Sequence, residues 1–269
     1  MSKYSFKKRK WHKKFRHFLE IITNTEMTIK IRPRVKIKVH PAAVSDGTDM
    51  AIYADMIDRY CSFKPQNVFE IGANYAQDAE YLRERFNLDE SDIYIFEPHS
   101  EIIKEVRKLY NFNSYEFAIS NYNGSAVFHA IDLNNNEYNN SGISSLKKGL
   151  TTKENNFKDV KVEVVRMDTF LEEHQIEYID FLKVDVEGAN YEVLEGFGNQ
   201  LTKVKSIQIE GEYKACWEGQ KLYWDIEKLL RGNGFNLVHF FLSPDGVQSD
   251  SFWIQQKFMP ELQEMKRKN

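Results

Sequence analysis

Residues 67–82, NVFEIGANYAQDAEYL, and residues 178–188, YIDFLKVDVEG, decide how this chain folds. Each is a short apolar run that ends in a glycine-containing turn with acids beside it. Runs of that length bounded by such turns predict buried strands. In an open α/β sheet a ligand sits outside the carboxyl ends of the strands, where strand order reverses, so the two turns are expected to form two walls of one site. Working outward, strands are expected at 67–71, 92–97, 114–119, 178–185 and 205–210, with helices near 50–60, 75–86, 99–110, 190–197 and 220–232. That alternation predicts a mostly parallel sheet covered on both faces. Two later strands, 235–242 and 250–257, are joined by the turn sequence Ser243-Pro244-Asp245-Gly246 and add a hairpin, hence one antiparallel strand.

Between the third and fourth strands, 125–132 and 160–167 are β-like and flank a polar stretch, 133–158, rich in Asn and Ser. A loop of that length in a compact domain is expected to be a lid, so 125–167 reads as an insertion. The whole of 48–269 then forms the main domain. Residues 1–47 form an arm: Trp11, Phe15, Phe18, Leu19 and Ile22 recur at helical spacing, and TIKIRPRVKIKV at 28–39 alternates apolar with basic residues as an edge strand would. Residues 1–40 carry 13 Lys/Arg against two acids, about +11, which leaves about −14 on the remainder of a chain whose net charge is −3. The cations either keep an edge strand from aggregating or face anionic lipid headgroups or an anionic glycan. Nucleic acid is disfavoured, because the acidic body repels phosphate.

A chain of 269 residues with 42% hydrophobic residues can bury a core for one large domain. Two cysteines, Cys61 and Cys216, lack metal-ligand spacing and read as inert packing residues in a reducing compartment. No apolar run approaches the roughly 18 residues of a membrane span, and none follows the basic start as a signal peptide requires. The expected location is cytoplasmic, with contact to the inner membrane face through the arm.

The turns carry the chemistry. Gly72 allows close backbone approach, and Asn74 is placed to cap a helix starting near Tyr75. A pyrophosphate site would show GxGxxG, which is absent, and the acid Glu70 would repel a diphosphate. Such an acid suits a cationic group such as the amino-acid end of S-adenosylmethionine. Glu97, at the end of IYIFEP, stands where a carboxylate accepts hydrogen bonds from ribose hydroxyls. In the second turn Lys183, Asp185 and Glu187 alternate on one face of the strand, and a lysine there needs an acid or carbonyl partner. Glu210 and Glu212 end the next strand in the same way.

FEIGAN, IFEP and above all IDFLKVDVEGANYEVLEGF resemble the FkbM-type S-adenosylmethionine-dependent methyltransferases, as do FAISNYNGSAVF, SGISSL, VRMDTFLEEH and LLRGNGF. The resemblance runs from about 65 to 240, and one departure is Ala76, where the family has glycine. It implies a class I, Rossmann-like three-layer sandwich with a seven-stranded sheet of order 3-2-1-4-5-7-6, and O-methylation, often of sugar hydroxyls in glycans or natural products. By position it implies that Glu70, Gly72, Ala73 and Asn74, with Gln77, hold the methionine end. Glu97 and Pro98 would serve the ribose, and Ala118 and Ile119 the adenine, with Asp185 beside the cofactor and Ser144 and Ser145 closing over it. The catalytic set is Asp185, Glu210, Lys183 and Glu187: Asp185 or Glu210 is a base, or the two share a divalent cation. Tyr213, Trp217, Tyr223 and Trp224 are either a surface for stacking a sugar or ordinary packing. The competing readings are a nicotinamide-dependent oxidoreductase or epimerase, which lacks its motifs here, and a non-catalytic binding module built on the arm.

Overall fold

In the computed structural model, residues 37–260 are described apart from 44, 46, 136–139 and 153–155. The helix and edge strand expected in the arm fall outside the described residues.

Strands β1 (Val68–Ile71) and β7 (Ile179–Val184) are buried at every position, as apolar strands flanked on both sides must be. They pair in parallel, with Glu70 opposite Lys183, at the centre of a seven-stranded sheet. Outward from β1 lie β2 (Ile93–Phe96) and β3 (Asn113–Tyr115). Outward from β7 lie β8 (Val204–Glu212), then β10 (Gln248–Gln255) and β9 (Phe235–Leu242). The order β3-β2-β1-β7-β8-β10-β9 reverses direction between β1 and β7, and β10 is antiparallel to both its neighbours. The expected antiparallel hairpin is therefore present. A chain that returns across the sheet at β1 and β7 leaves a crevice at their carboxyl ends.

Period-two alternation gives the two faces different characters. Leu182 and Val184 join Phe69, Ile71, Ile207, Ile209 and Trp253 in the main core cluster. That cluster is covered by α4 (Met167–Glu173), α5 (Asn190–Glu195) and α6 (Tyr223–Gly232), through Phe170, Val193, Leu194, Ile226 and Leu230. On the other face Phe181 stacks on Phe252, ring centroids 6.0 Å apart, while Glu70, Lys183 and Gln208 form a buried polar row. Helices α1 (Met50–Tyr60) and α2 (Gln77–Phe86) pack there, and α3 (Ser100–Leu109) packs beside β3.

Two expectations change. The segment 114–119 is not one strand: β3 ends at Tyr115, and Ala118–Ile119 form β4 in a second sheet with β5 (Gly124–Ile131) and β6 (Phe157–Val165), order β4-β6-β5. The chain must leave the main sheet there because β5 and β6 pair antiparallel with each other and need a partner for β6's free edge, which β4 supplies in parallel. The helix α4 is an addition, since its 7 residues are too few to show a helical period in the sequence.

Candidate active site

The two glycine turns are joined directly. The Asp185 backbone N–H donates to the Ile71 carbonyl at 3.0 Å. Gly72 adopts φ +80°, and a Cβ there would stand 1.9 Å from the Asp185 carbonyl oxygen, so no other residue fits this approach. The Gly72 and Ala73 N–H groups donate to the Phe96 carbonyl at 3.0 and 3.3 Å, which ties the end of β2 into the same corner. Glu97 follows. Its two carboxylate oxygens accept from the backbone N–H groups of Asn74 and His99, both at 2.8 Å. Burial pushes the Glu97 carboxyl up to about 7, against the pull of those two amides.

Asn74 does not cap the helix. It is left-handed at φ 47°, and its side chain exchanges hydrogen bonds with the Ser141 hydroxyl at 3.0 and 3.1 Å. The helix starts at Gln77 after a left-handed Ala76, and a carboxylate oxygen of Glu70 accepts from the Ala79 N–H at 3.0 Å. Glu70 thus serves the start of α2 from beneath. It does not line the cavity in front of these turns, in contrast to the expectation that it contacts a ligand's methionine end. Its burial explains this: at 1% exposure it belongs to the polar row under the sheet.

That row is organised by Lys183. Its ammonium lies 3.2 Å from Glu70, 3.2 Å from Asp78 and 3.4 Å from Asp185, three partners where the sequence demanded one. These carboxylates hold the lysine pKa well above its ordinary value despite the opposing effect of burial. Burial in turn raises Glu70 to about 8, with Lys183 opposing.

In front lies a cavity of about 290 Å³. Gly72, Ala73, Asn74, Gln77, Glu97 and Pro98 border one half, and Ala118 and Ile119 with Phe117 and Phe128 form an apolar end. Lys183, Asp185, Glu187 and Glu210 border it as well, so every residue expected to hold the cofactor or react reaches the cavity except Glu70, and of the two serines expected to close over it Ser144 does and Ser145 does not. Oxygens of Asp185, Glu187 and Glu210 all lie within 4.8 Å of one another. Burial, then the neighbouring carboxylates with Asp185 foremost, raises the pKa of Glu187 and of Glu210 well above the usual range. Glu187 sits in the left-handed region at φ 50°, its carbonyl accepting from Ser145 at 2.6 Å.

Residues 140–150 run over the cavity. Ser141 holds Asn74, Ser144 accepts the Ile131 N–H at 3.0 Å, and Gly149 bridges Trp217. Of the four aromatics considered for stacking, none lines the cavity. Trp217 packs on Gly188, Tyr223 is buried, and Trp224 alone is largely exposed. Sequence reasoning missed Asp78, Ser141 and Gln248 as cavity residues. Asp78 faces the site one residue beyond Gln77, a signal that spacing could have given; Gln248 is brought in by the distant hairpin, which leaves no local signal.

A family model described as the Methyltransferase FkbM domain matches residues 70–237. The chain belongs to the FkbM methyltransferase family. It is 32% identical over 193 residues to 2-O-methyltransferase NoeI of Sinorhizobium fredii, covering 68% of this chain and 76% of that protein. A solved FkbM methyltransferase from Methylobacillus flagellatus KT is similar at TM-score 0.45 and 12% identity, covering 79% of this chain and 56% of the other, little more than half its length. Magnesium protoporphyrin IX methyltransferase from Synechocystis PCC 6803, solved with bound S-adenosylmethionine, is similar at TM-score 0.44 and 10% identity, covering 78% of each chain. This FkbM enzyme is an S-adenosylmethionine-dependent methyltransferase with the class I fold, which sets aside the oxidoreductase and non-catalytic readings.

The cavity fits that cofactor. Apart from Lys183 its charged lining is acidic, which suits a sulfonium and an α-ammonium group, and the buried Gln77 Oε1 borders it without a hydrogen-bond partner among the described residues. Glu97 retains lone pairs for ribose hydroxyls, and the Phe117–Phe128 end offers an apolar seat for a nucleobase. No described helix is long and apolar enough to cross a membrane.

Proposed function

We propose that this FkbM enzyme transfers a methyl group to a hydroxyl oxygen of a sugar in a glycan or glycosylated metabolite. The observation that carries the reading is the clustering of Asp185, Glu187 and Glu210 on the lining of the cavity, with oxygens within 4.8 Å of one another. S-adenosylmethionine supplies a methyl group on a sulfonium, which reacts readily with an oxygen nucleophile once the geometry is aligned. An alcohol must also lose its proton, and a carboxylate within reach of the cavity is the group that takes it. The O-methyl transfer in the name of NoeI supports an oxygen acceptor.

In this reading Gly72, Ala73, Asn74 and Gln77 seat the methionine end, Glu97 and Pro98 the ribose, and Ala118 and Ile119 the adenine. Lys183 keeps Asp185 oriented. Asp185 or Glu210 takes the hydroxyl proton directly, or the three clustered carboxylates hold a divalent cation that lowers the hydroxyl's pKa. The spacing of their oxygens within 4.8 Å suits either role. The cations of residues 1–40 would bring the enzyme to an anionic lipid or glycan surface, at the inner face of a membrane, where the acceptor is presented. Equal activity and localisation after deleting residues 1–26 would remove that part of the proposal.

The test is labelled methyl transfer onto glycans, nucleotide sugars and non-sugar alcohols, with and without EDTA. Transfer to a sugar hydroxyl is expected; transfer confined to nitrogen, carbon or non-sugar oxygen overturns the reading. Loss of activity in EDTA that Mg²⁺ or Mn²⁺ restores assigns the cation role, and indifference to EDTA assigns the base. Asp185→Asn is expected to lower kcat on the oxygen acceptor by about 100-fold or more while S-adenosylmethionine binding stays within about threefold.

A further inference from the structure

Strand β10 and the turn that leads into it lie beyond the matched family span of 70–237, yet the first residue of that strand, Gln248, borders the cavity. The side-chain Nε2 of Gln248 donates to Glu210 Oε1, so the amide plane is fixed against an acid of the reacting half. The backbone beneath it is fixed too. The Gln248 N–H donates to the Ser243 hydroxyl at 3.1 Å, and the Ser243 N–H donates back to the Gln248 carbonyl at 2.8 Å. Ser243 is itself held, its hydroxyl donating to Asp245 at 2.6 Å, while Asp245 also accepts the Val247 N–H at 3.1 Å and Gly246 turns the chain at φ +69°. The Tyr213 N–H donates to the Val247 carbonyl at 2.7 Å and binds the hairpin to the end of β8. A flexible, exposed glutamine is thereby held in one orientation on a built turn.

With one N–H of its NH₂ donated to Glu210, the amide of Gln248 keeps its carbonyl oxygen Oε1 as an acceptor, and no described residue donates to it. An acceptor-only oxygen beside Glu210, a member of the carboxylate cluster proposed to serve the reacting hydroxyl, is suited to a second hydroxyl on the carbon next to the one methylated. Resting on the reading of the site as one that methylates a hydroxyl, we propose that Gln248 is a specificity-determining residue that accepts a hydrogen bond from the neighbouring hydroxyl of a vicinal diol acceptor. The FkbM domain then supplies the cofactor and reacting groups, and the hairpin supplies the selection among polyols. A site that hydrogen-bonds a substrate hydroxyl rejects the analogue lacking it, because its own polar group is left unpaired.

The experiment is a cycle between enzyme and acceptor. Methyl glycosides and non-sugar vicinal diols, each paired with the analogue lacking the neighbouring hydroxyl, are compared on the unaltered enzyme and on Gln248→Leu. The unaltered enzyme is expected to favour the diol by roughly fivefold to tenfold in kcat/KM, the range of one neutral hydrogen bond. Gln248→Leu is expected to reduce that preference to less than about twofold, chiefly through KM for the diol, with KM for S-adenosylmethionine unchanged. A variant that loses activity equally on both members of each pair, keeping the full preference, overturns the proposal and leaves Gln248 as a support for Glu210. An unaltered enzyme that shows no preference overturns it as well. Should only non-sugar diols accept methyl, the sugar reading fails, and the ratio between paired diols still decides the role of Gln248. Gln248 is exposed, so Gln248→Leu is expected to fold, which an unchanged thermal midpoint checks.

Discussion

Lys183 shows how one side chain can organise both a core and a site. Its ammonium touches Glu70, Asp78 and Asp185, and the first two have no second cation beside them among the described residues. Replacing it with Met leaves buried carboxylates without compensation, which costs about 3–5 kcal/mol in folding stability. Because Glu70 and Asp78 can take protons instead, the loss is expected to be smaller at pH 5 than at pH 8; urea unfolding of Lys183→Met at the two values checks this. Ala76 is the opposite case. It is fully buried and left-handed at φ 57°, a conformation that costs an L residue roughly 1 kcal/mol. Ala76→Gly is therefore expected to stabilise the enzyme by several tenths of a kcal/mol, read as a rise in the denaturant midpoint at constant slope. A fall in midpoint would mean that the methyl group's packing outweighs the backbone strain.

Between β1 and β7 the constraint is backbone against backbone. Gly72→Ala would place a Cβ 1.9 Å from the Asp185 carbonyl oxygen, and neither turn can retreat without loss of the bond from the Asp185 N–H to the Ile71 carbonyl. The two turns must then separate, moving the wall proposed to hold the cofactor away from the wall proposed to react. S-adenosylmethionine affinity measured by calorimetry is expected to fall at least about tenfold, with loss of turnover beyond the loss of binding. This corner is legible in the sequence because a glycine directly after an apolar strand marks a close backbone approach, and Lys183, Asp185 and Glu187 alternate visibly on one strand. The roles of Glu70 and Asn74 are hidden there. Position in the turn cannot tell an acid that faces a ligand from one that accepts the Ala79 N–H under the helix. Nor can it tell a helix cap from a side chain bonded to Ser141, 67 residues away. The division of 114–119 between two sheets is hidden for a similar reason: its second half is recruited by β6, where Ala118 pairs with Val164, 46 residues away.

Among the described residues of the whole domain the buried acids outnumber their cations, and this makes stability depend on pH. The alternating pattern and the order of strands are readable because each strand's burial is written in its own residues. The accumulation of carboxylates at the cavity is instead a product of topology, which brings the ends of β2, β7 and β8 together. Glu97 is the clearest of these groups, with its pKa pushed up to about 7 by burial, and outside the cavity lining burial raises Glu70 to about 8, Glu212 to about 7 and Asp250 to about 6. An acid whose pKa is higher folded than unfolded binds more protons in the folded state between the two values. Stability contributed by that proton is present near pH 4.5 and is lost as pH rises through about 7, so the ligand-free enzyme is expected to melt lower at pH 8 than at pH 5.5. Asp168 and Asp132, with lowered pKa values, act in the opposite sense but complete their titration below this window. Glu97→Gln cannot release a proton and is expected to show a shallower decline, measurable by calorimetry from pH 5.5 to 8. S-adenosylmethionine should also flatten the decline in the unaltered enzyme, because in the proposed binding mode ribose hydroxyls donate to Glu97 and favour its ionised form. An equal slope in Glu97→Gln would place the titrating protons elsewhere in the acid cluster.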